Sequence, residues 1–373
     1  MRLNKLSILL VPLMCLSLIS CGANEVDDCK ELSTLIQKEY KSFVEEAKES
    51  KYVESLESVV TVLSFIVDEA ANTITTNLGS GFIYDEDDSY HYIITNQHVI
   101  RSGTYFKSIS ATGQVKDATV LGSDGIFDVA LIRVEKFNNV KVVKFPNDDY
   151  TKIENPEIGS DVYLIGNPAT IQNMGTIHFG IVSKVDVDPY EYSSTFENAD
   201  FAIQANVSMS PGVSGGPLFN NNGEVVGINT YKAETVNGNV YDGINCSLPI
   251  QDALLIVDKI RKEGQFVRAT VGYNSYIDTK FLTLSEKTYL GLESNYSKGV
   301  LVKAFGYNNI LNVSKYSIII KVNDVEVNSK AELRRQLYFA GPNSDVKFTY
   351  YEYKDCYDFY EKNIVVKTKT VTV

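Results

Sequence analysis

From Val59 to Pro249 the chain is a succession of short runs rich in Val, Ile, Thr, Tyr and Phe, broken by Gly, Asn, Asp and Pro, with no helical pattern of any length between them. Runs of this kind, with turn residues so closely spaced, bury their apolar faces only as strands, which restricts the segment to a β-sandwich or a β-barrel. The series opens at VVTVLSFIV (Val59–Val67) and ends at Pro249, after which Leu254, Leu255, Ile256, Val257 and Ile260 take up a helical spacing that Gly264 stops. A chain of 373 residues has room for this unit and a second core.

Within the β series, PGVSGGPL (Pro211–Leu218) sets Ser214 among three glycines. Glycine lets the backbone turn tightly enough to aim the N–H groups of Gly212 and Ser214 at one point, as an oxyanion hole requires. A plain hairpin turn has the same composition, so the chemical reading depends on partners. A serine hydroxyl is a weak nucleophile and needs a histidine base with a carboxylate to orient it. His91, His98 and His178 all precede Ser214, which excludes the G-x-S-x-G elbow of α/β-hydrolases, where the histidine follows the serine. His98 lies near the end of YIITNQHVI, an apolar strand that opens into a polar turn. IFDVALIRV (Ile126–Val134) reads as a buried strand with one acid, Asp128, at its entry; a carboxylate there is costly unless paired, and His98 would pair it. His178 sits in a strand-like run and reads as structural.

Taken together, GSGFIY (Gly79–Tyr84), TNQHVI (Thr95–Ile100), DVALIRV (Asp128–Val134), GNPA (Gly166–Ala169), GIVSKV (Gly180–Val185), PGVSGGPLFNNNGEVVGINT (Pro211–Thr230) and GINCSLPI (Gly243–Ile250) resemble, in order, the chymotrypsin-like serine proteases. In particular they resemble the HtrA/Deg family of bacterial proteases with C-terminal PDZ domains. The resemblance implies a mostly β chain with two six-stranded barrels and the catalytic triad in the cleft between them. His98 (base) and Asp128 (orienter) would come from the first barrel and Ser214 (nucleophile) from the second, with the N–H groups of Gly212 and Ser214 as the oxyanion hole. Ser208 and the strand residues Gly227, Ile228, Asn229 and Thr230 would line the specificity pocket. No acid there selects Lys or Arg, so small or medium aliphatic side chains are expected. Two positions depart from the family: Val213 replaces the usual polar residue before the serine, and Asn206 stands where an acid is common. The reaction implied needs no metal and no organic cofactor.

Outside the protease-like part, residues 1–20 read as a secretory signal, with Arg2 and Lys5 before an apolar core, Ile8–Ile19, too short for an ordinary spanning helix. Leu18-Ile19-Ser20-Cys21 resembles the bacterial lipobox, implying lipidation of Cys21 and a membrane-anchored, extracytoplasmic protein of the bacterial envelope. Residues 21–57 carry an amphipathic helical pattern that reads equally as a stalk or as a helix packed on its own barrel. Residues 58–264 are then the protease domain and 265–373 resemble a PDZ domain (α+β), through RATVGY (Arg268–Tyr273), SKGVLVKAF (Ser297–Phe305), SIIIKVNDVEV (Ser317–Val327) and SKAELRRQL (Ser329–Leu337). Such domains add a peptide end as a strand; Thr270, Val271, Gly272 and Tyr273 are the expected carboxylate loop, with TYLGL (Thr288–Leu292) as a rival. The family's usual glycine-aspartate is replaced by Tyr316-Ser317. YYEYKDCYDFY (Tyr350–Tyr360) is expected to form a strand pair with aromatic cross-strand contacts.

The formal charge of −12 and the absence of a basic stripe argue against a nucleic-acid partner. Five scattered cysteines make no disulfide framework and no C-x-x-C metal pair. The acidic YDEDDSY (Tyr84–Tyr90) lacks calcium-loop spacing and reads as a hairpin turn. What the resemblance implies is an exported endopeptidase acting on unfolded or extended polypeptides, with C-terminal peptides as PDZ ligands and the family's homotrimer as the default assembly. A silent peptide-binding scaffold or chaperone, or a narrow regulatory protease, would use the same residues.

Overall fold

The structure, a computed structural model, describes residues 50–68, 73–167, 175–187, 202–232, 245–267, 274–305, 313–352 and 365–373, together with the pairs 235–236 and 239–240 and scattered helical positions between 34 and 46. Cys21 and Thr270–Tyr273 lie outside the described residues. The chain divides into two compact units, 1–266 and 267–373.

In the first unit a short helix, α1 (Ser50–Glu57), leads into β1 (Val59–Asp68), β2 (Thr73–Glu86) and β3 (Tyr90–Thr95). After a one-turn helix, α2 (Gln97–Ile100), come β4 (Tyr105–Ser110), β5 (Val115–Asp124) and β6 (Val129–Glu135). These six strands close a barrel in the order β1-β2-β3-β6-β5-β4, antiparallel throughout. Alternate residues fill it: Val60, Val62, Ile83, Ile93, Ala130, Ile132 and Val134 form one buried cluster with Val99 and Ile100 from α2. The intervening β1 residues Val59, Thr61, Leu63 and Phe65 are buried as well, and Thr61 accepts a 2.7 Å hydrogen bond from Asn167 Nδ2 beyond the barrel. A strand covered on both faces is written as a nearly unbroken apolar run, as VVTVLSFIV is.

The second barrel is built from β7 (Asp161–Gly166), β8 (Thr176–Val187), β9 (Ala202–Ala205), β10 (Pro217–Asn220) and β11 (Val225–Lys232). A two-residue pair, β12 (Thr235–Val236) and β13 (Asn239–Val240), precedes the sixth barrel strand, β14 (Asn245–Pro249). It closes in the order β10-β11-β14-β9-β8-β7. Its core joins Val162, Leu164, Val182, Ile203, Ala205, Leu218 and Val226 to Val207, Met209 and Val213, three residues from the segment between β9 and β10.

Two helices tie this unit together. α1 packs on the second barrel: Tyr52 meets Tyr163 and Phe179 edge-on at 5.1 and 5.6 Å, Tyr163 stacks on Phe219, and Ser55 Oγ and the Tyr163 hydroxyl are 2.9 Å apart. Residues 50–57 thus pack on the chain's own barrel, while most of the apolar stripe between Leu32 and Ala47 lies outside the described residues. The second helix, α3 (Ile250–Glu263), begins after Pro249 and ends on Gly264, whose N–H donates to the Ile260 carbonyl. It crosses to the first barrel, where Ile260 lies against Gly122 and the Arg261 guanidinium covers the Tyr92 ring at 3.9 Å and pairs with Asp85. The acidic hairpin is explained by its turn: Asp87 Oδ1 accepts the N–H groups of Ser89 and Tyr90, and Oδ2 the Tyr92 hydroxyl, which lowers the carboxyl's pKa to about 2.

The second unit carries a sheet of β15 (Asn274–Asp278), β16 (Val300–Phe305), β17 (Ile318–Val322), β18 (Val325–Glu326), β19 (Asp345–Glu352) and β20 (Val365–Thr372). With α4 (Leu284–Tyr289) and α5 (Lys330–Ala340), whose Leu333 and Leu337 reach the sheet's core, it is compatible with a PDZ fold. Tyr316 keeps the left-handed conformation (φ 71) that glycine serves more readily, and its N–H still donates to Val302. Of the tyrosine-rich end only Tyr350–Glu352 are described, and residues 353–360 lie outside the described residues. The described part of β19 pairs with β20, and Tyr350 and Tyr351 face Lys367 and Val366.

Candidate active site

β3 ends at Thr95, and the helical turn α2 follows because Val99 and Ile100 are drawn into the first barrel's core. That anchors one side of the turn and leaves His98 on the other, its side chain 36% exposed. Asp128 stands just before β6, buried, with φ 54, a left-handed backbone that aspartate adopts more readily than most residues. The Asp128 carbonyl is held there by the Gln97 N–H at 3.2 Å and Asn96 Nδ2 at 2.7 Å. Its carboxylate takes His98 with both oxygens: Oδ1 accepts the main-chain N–H at 2.8 Å and Oδ2 accepts Nδ1 at 2.6 Å. With its proton committed at Nδ1, the imidazole presents Nε2 as an acceptor.

The serine turn belongs to the second barrel but is held from both sides. Val213 N–H donates to Ser210 and Gly216 N–H to Val213, closing two successive turns. Gly215 N–H donates to Asn229 and Asn229 N–H to Gly216, which fastens the turn to β11. From the first barrel, Ser80 N–H donates to the Ser214 carbonyl at 2.8 Å and Ser80 Oγ to the Gly212 carbonyl at 2.7 Å. Gly212 and Gly215 have φ of 100 and 84. A side chain at Gly215 would meet the Ser80 carbonyl at 2.3 Å, Thr95 Oγ1 at 2.5 Å and the Asn96 nitrogen at 2.9 Å, so the turn lies directly on the strand end that leads to His98.

Among the described residues, the N–H groups of Gly212 and Ser214 donate to no acceptor. Gly212 is buried and Ser214 half-buried, and with the N–H groups of Val213, Gly215 and Gly216 all bonded, the two unspent donors form a ready receptor for an anionic oxygen. No hydrogen bond joins Ser214 Oγ to His98; such contacts are often long in unliganded enzymes. Val213, the departure from the family pattern, is an apolar anchor: its side chain is buried in the second barrel's core against Gly166. Asn206, the other departure, bridges β8, its Oδ1 accepting the Ile181 N–H at 2.6 Å.

Of the residues assigned to a specificity pocket, Gly227, Ile228, Asn229 and Thr230 are buried in β11 while Ser208 is exposed. Asn229 Oδ1 accepts the Ser247 hydroxyl, and Thr230 Oγ1 accepts Asn96 Nδ2 at 3.2 Å. Asn96 thus spans the barrels, touching Asp128 on one and Thr230 on the other. Sequence reasoning assigned no role to Ser80 or Asn96; both stand inside quoted motifs, but bonds to residues more than a hundred positions away leave no local signature.

The other two histidines are structural. His91 Nδ1 accepts the Phe137 N–H at 3.1 Å, so Nε2 carries the proton toward Glu86 Oε2 at 2.9 Å, with Lys136 on the same carboxylate. Burial pushes the pKa of His91 down, and that of His178 likewise. Below pH about 6.5 the unfolded chain therefore binds protons that the folded chain refuses, so stability falls as pH drops through this range and is flat above it. The expected result is a lower unfolding midpoint at pH 5 than at pH 7.5, with a smaller difference in His91→Gln, whose amide oxygen can still accept the Phe137 N–H. An equal difference in both proteins contradicts the assignment.

Two closed six-stranded barrels in tandem, followed by a third sheet, define a chymotrypsin-like fold with a C-terminal appendage. Residues 79–228 match the trypsin-like peptidase domain family. The chain is 30% identical over 304 residues to the serine protease Do-like HtrB of Bacillus subtilis, covering 77% of this chain and 64% of that one. It is 29% identical over 282 residues to a serine protease Do-like HtrA of Lactococcus lactis, covering 73% and 67%. It is 31% identical over 276 residues to a probable periplasmic serine endoprotease, DegP-like, of Rhizobium meliloti, covering 73% and 50%. The matched region spans half to two thirds of these relatives. Among solved structures, an HtrA-type protease with a decapeptide superposes with a TM-score of 0.60 at 18% identity, covering 87% of this chain and 96% of that one. The serine endoprotease from Yersinia pestis gives 0.55 at 23%, covering 87% and 97%. The chain carries a trypsin-like peptidase domain and is a homologue of the HtrA/Deg serine proteases.

Proposed function

We propose that the protein is an extracytoplasmic serine endopeptidase that hydrolyses unfolded or extended polypeptides. Ser214 Oγ attacks the peptide carbonyl, His98 Nε2 takes its proton and passes it to the leaving amine, and water then releases the acyl group by the same base. Asp128 holds the imidazole in the working tautomer, and the N–H groups of Gly212 and Ser214 receive the developing oxyanion. The observation that carries this reading is the two-oxygen grip of Asp128 on His98 beside a serine turn whose two N–H groups are unspent. A scaffold that had lost catalysis would have no need of either, and the buried side chain of Val213 supports the open turn rather than opposing it. Anchoring through a lipidated Cys21 and capture of peptide C-termini by the second unit complete the proposal. Casein hydrolysis by the purified protein, unaffected by a metal chelator, tests it. A protein that leaves casein and short unfolded peptides intact defeats it.

A further inference from the structure

We infer that Ser80, on the first barrel, is a positioning residue that sets the oxyanion-binding form of the serine turn on the second. The inference rests on the proteolytic reading of Ser214. Ser80 is fully buried in β2, and every polar group it owns is engaged. Its N–H donates to Ser214 and its hydroxyl to Gly212; the same hydroxyl accepts the Asn167 N–H at 3.0 Å, and its carbonyl accepts Thr95 Oγ1 at 2.7 Å.

The consequence follows from the planarity of peptide groups, which forces each C=O and the next N–H to point in opposite directions. With the Gly212 carbonyl drawn to Ser80 Oγ, the Val213 N–H turns away, to Ser210. With the Ser214 carbonyl drawn to the Ser80 N–H, the Gly215 N–H turns away, to Asn229. The peptide between them is fixed by Gly216, whose N–H takes the Val213 carbonyl and so directs the Ser214 N–H the other way. Gly212, at φ 100, has the backbone freedom of glycine, and the Ser80 hydroxyl is the group that fixes its carbonyl. Without it, the Gly212 carbonyl and the Asn167 N–H both lose a buried partner, and rotation of the Gly212–Val213 peptide is the simplest relief. That rotation carries neither donor itself, since the Gly212 N–H lies on the preceding peptide and the Ser214 N–H on the following one, but it changes ψ of Gly212 and φ of Val213, the torsions that set the angle between them, and it leaves His98 and Asp128 untouched.

Ser80→Ala removes this one hydroxyl while keeping the backbone bond to Ser214. Because the donors serve the transition state rather than the bound substrate, kcat should fall about 10- to 100-fold while KM stays within about threefold. Affinity for a peptide aldehyde, whose hemiacetal oxygen occupies the same place, should fall by the factor lost from kcat/KM. Ser80→Cys, of similar size with a feeble donor, should lie between Ala and wild type, and it carries the test if Ser80→Ala does not fold. Wild-type kcat in a folded variant, or a lowered kcat with unchanged aldehyde affinity, overturns the role of Ser80 alone. A wild-type protein that neither cleaves casein nor binds the aldehyde overturns the proteolytic reading, and this role with it.

Discussion

Asp128→Asn is expected to lower kcat by about four orders of magnitude with little change in KM. Both oxygens of the carboxylate are in use, one on the His98 main-chain N–H and one on Nδ1. An amide has a single oxygen. Turned toward the backbone N–H, it offers its NH2 to the ring and draws the imidazole into the tautomer with the proton on Nε2, where a base is needed. Turned toward the ring, it sets NH2 against a backbone donor and expels the side chain from a buried site. Either way the base is lost while the substrate surface is untouched, which is why the loss belongs to kcat. A fall of less than about tenfold would mean that His98 does not act through this tautomer.

Gly215→Ala is expected to cost about 3–5 kcal/mol in the first unit and to abolish activity, because strain and overlap act together. The residue has φ 84, where an L side chain is disfavoured by about 1–2 kcal/mol. The added methyl would also stand 2.3 Å from the Ser80 carbonyl, and backbone at that distance cannot swing aside as a side-chain tip would. The turn itself must retreat from the first barrel, carrying Ser214 with it. A thermal midpoint lowered by about 10 °C, with no casein hydrolysis at temperatures where the variant is folded, is the expected outcome. An active variant within about 2 °C of wild type would contradict the contact.

The parts of this site that the sequence discloses are those whose chemistry needs a particular residue type. Ser214, its flanking glycines, His98 and Asp128 are nameable because few side chains can do their work, and the strands are legible because β-branched runs recur between turn residues. The supporting shell is not legible in the same way. Ser80 and Asn96 act through bonds to Gly212, Asp128 and Thr230, and a serine or an asparagine in a buried strand end has many innocent explanations. Val213 shows the complementary case: an apolar residue in a polar family position reads as a defect until its side chain is found in the barrel core. At the tyrosine-rich end aromatic composition says that strands pair but not with which partner; for Tyr350 and Tyr351 the register is set by the alignment of β19 with β20. The N-terminal helical pattern admitted two burial partners; its last two turns, residues 50–57, meet the second barrel through the contacts of Tyr52 with Tyr163 and Phe179.

Reaction with a fluorophosphonate, followed by peptide mass spectrometry, measures the central claim most directly, because the reagent bonds only to a serine that a neighbouring base has activated. One phosphonyl group per chain on Ser214, absent after His98→Ala, is the predicted result. An unlabelled wild-type protein, or labelling of Ser214 that survives His98→Ala undiminished, would contradict it.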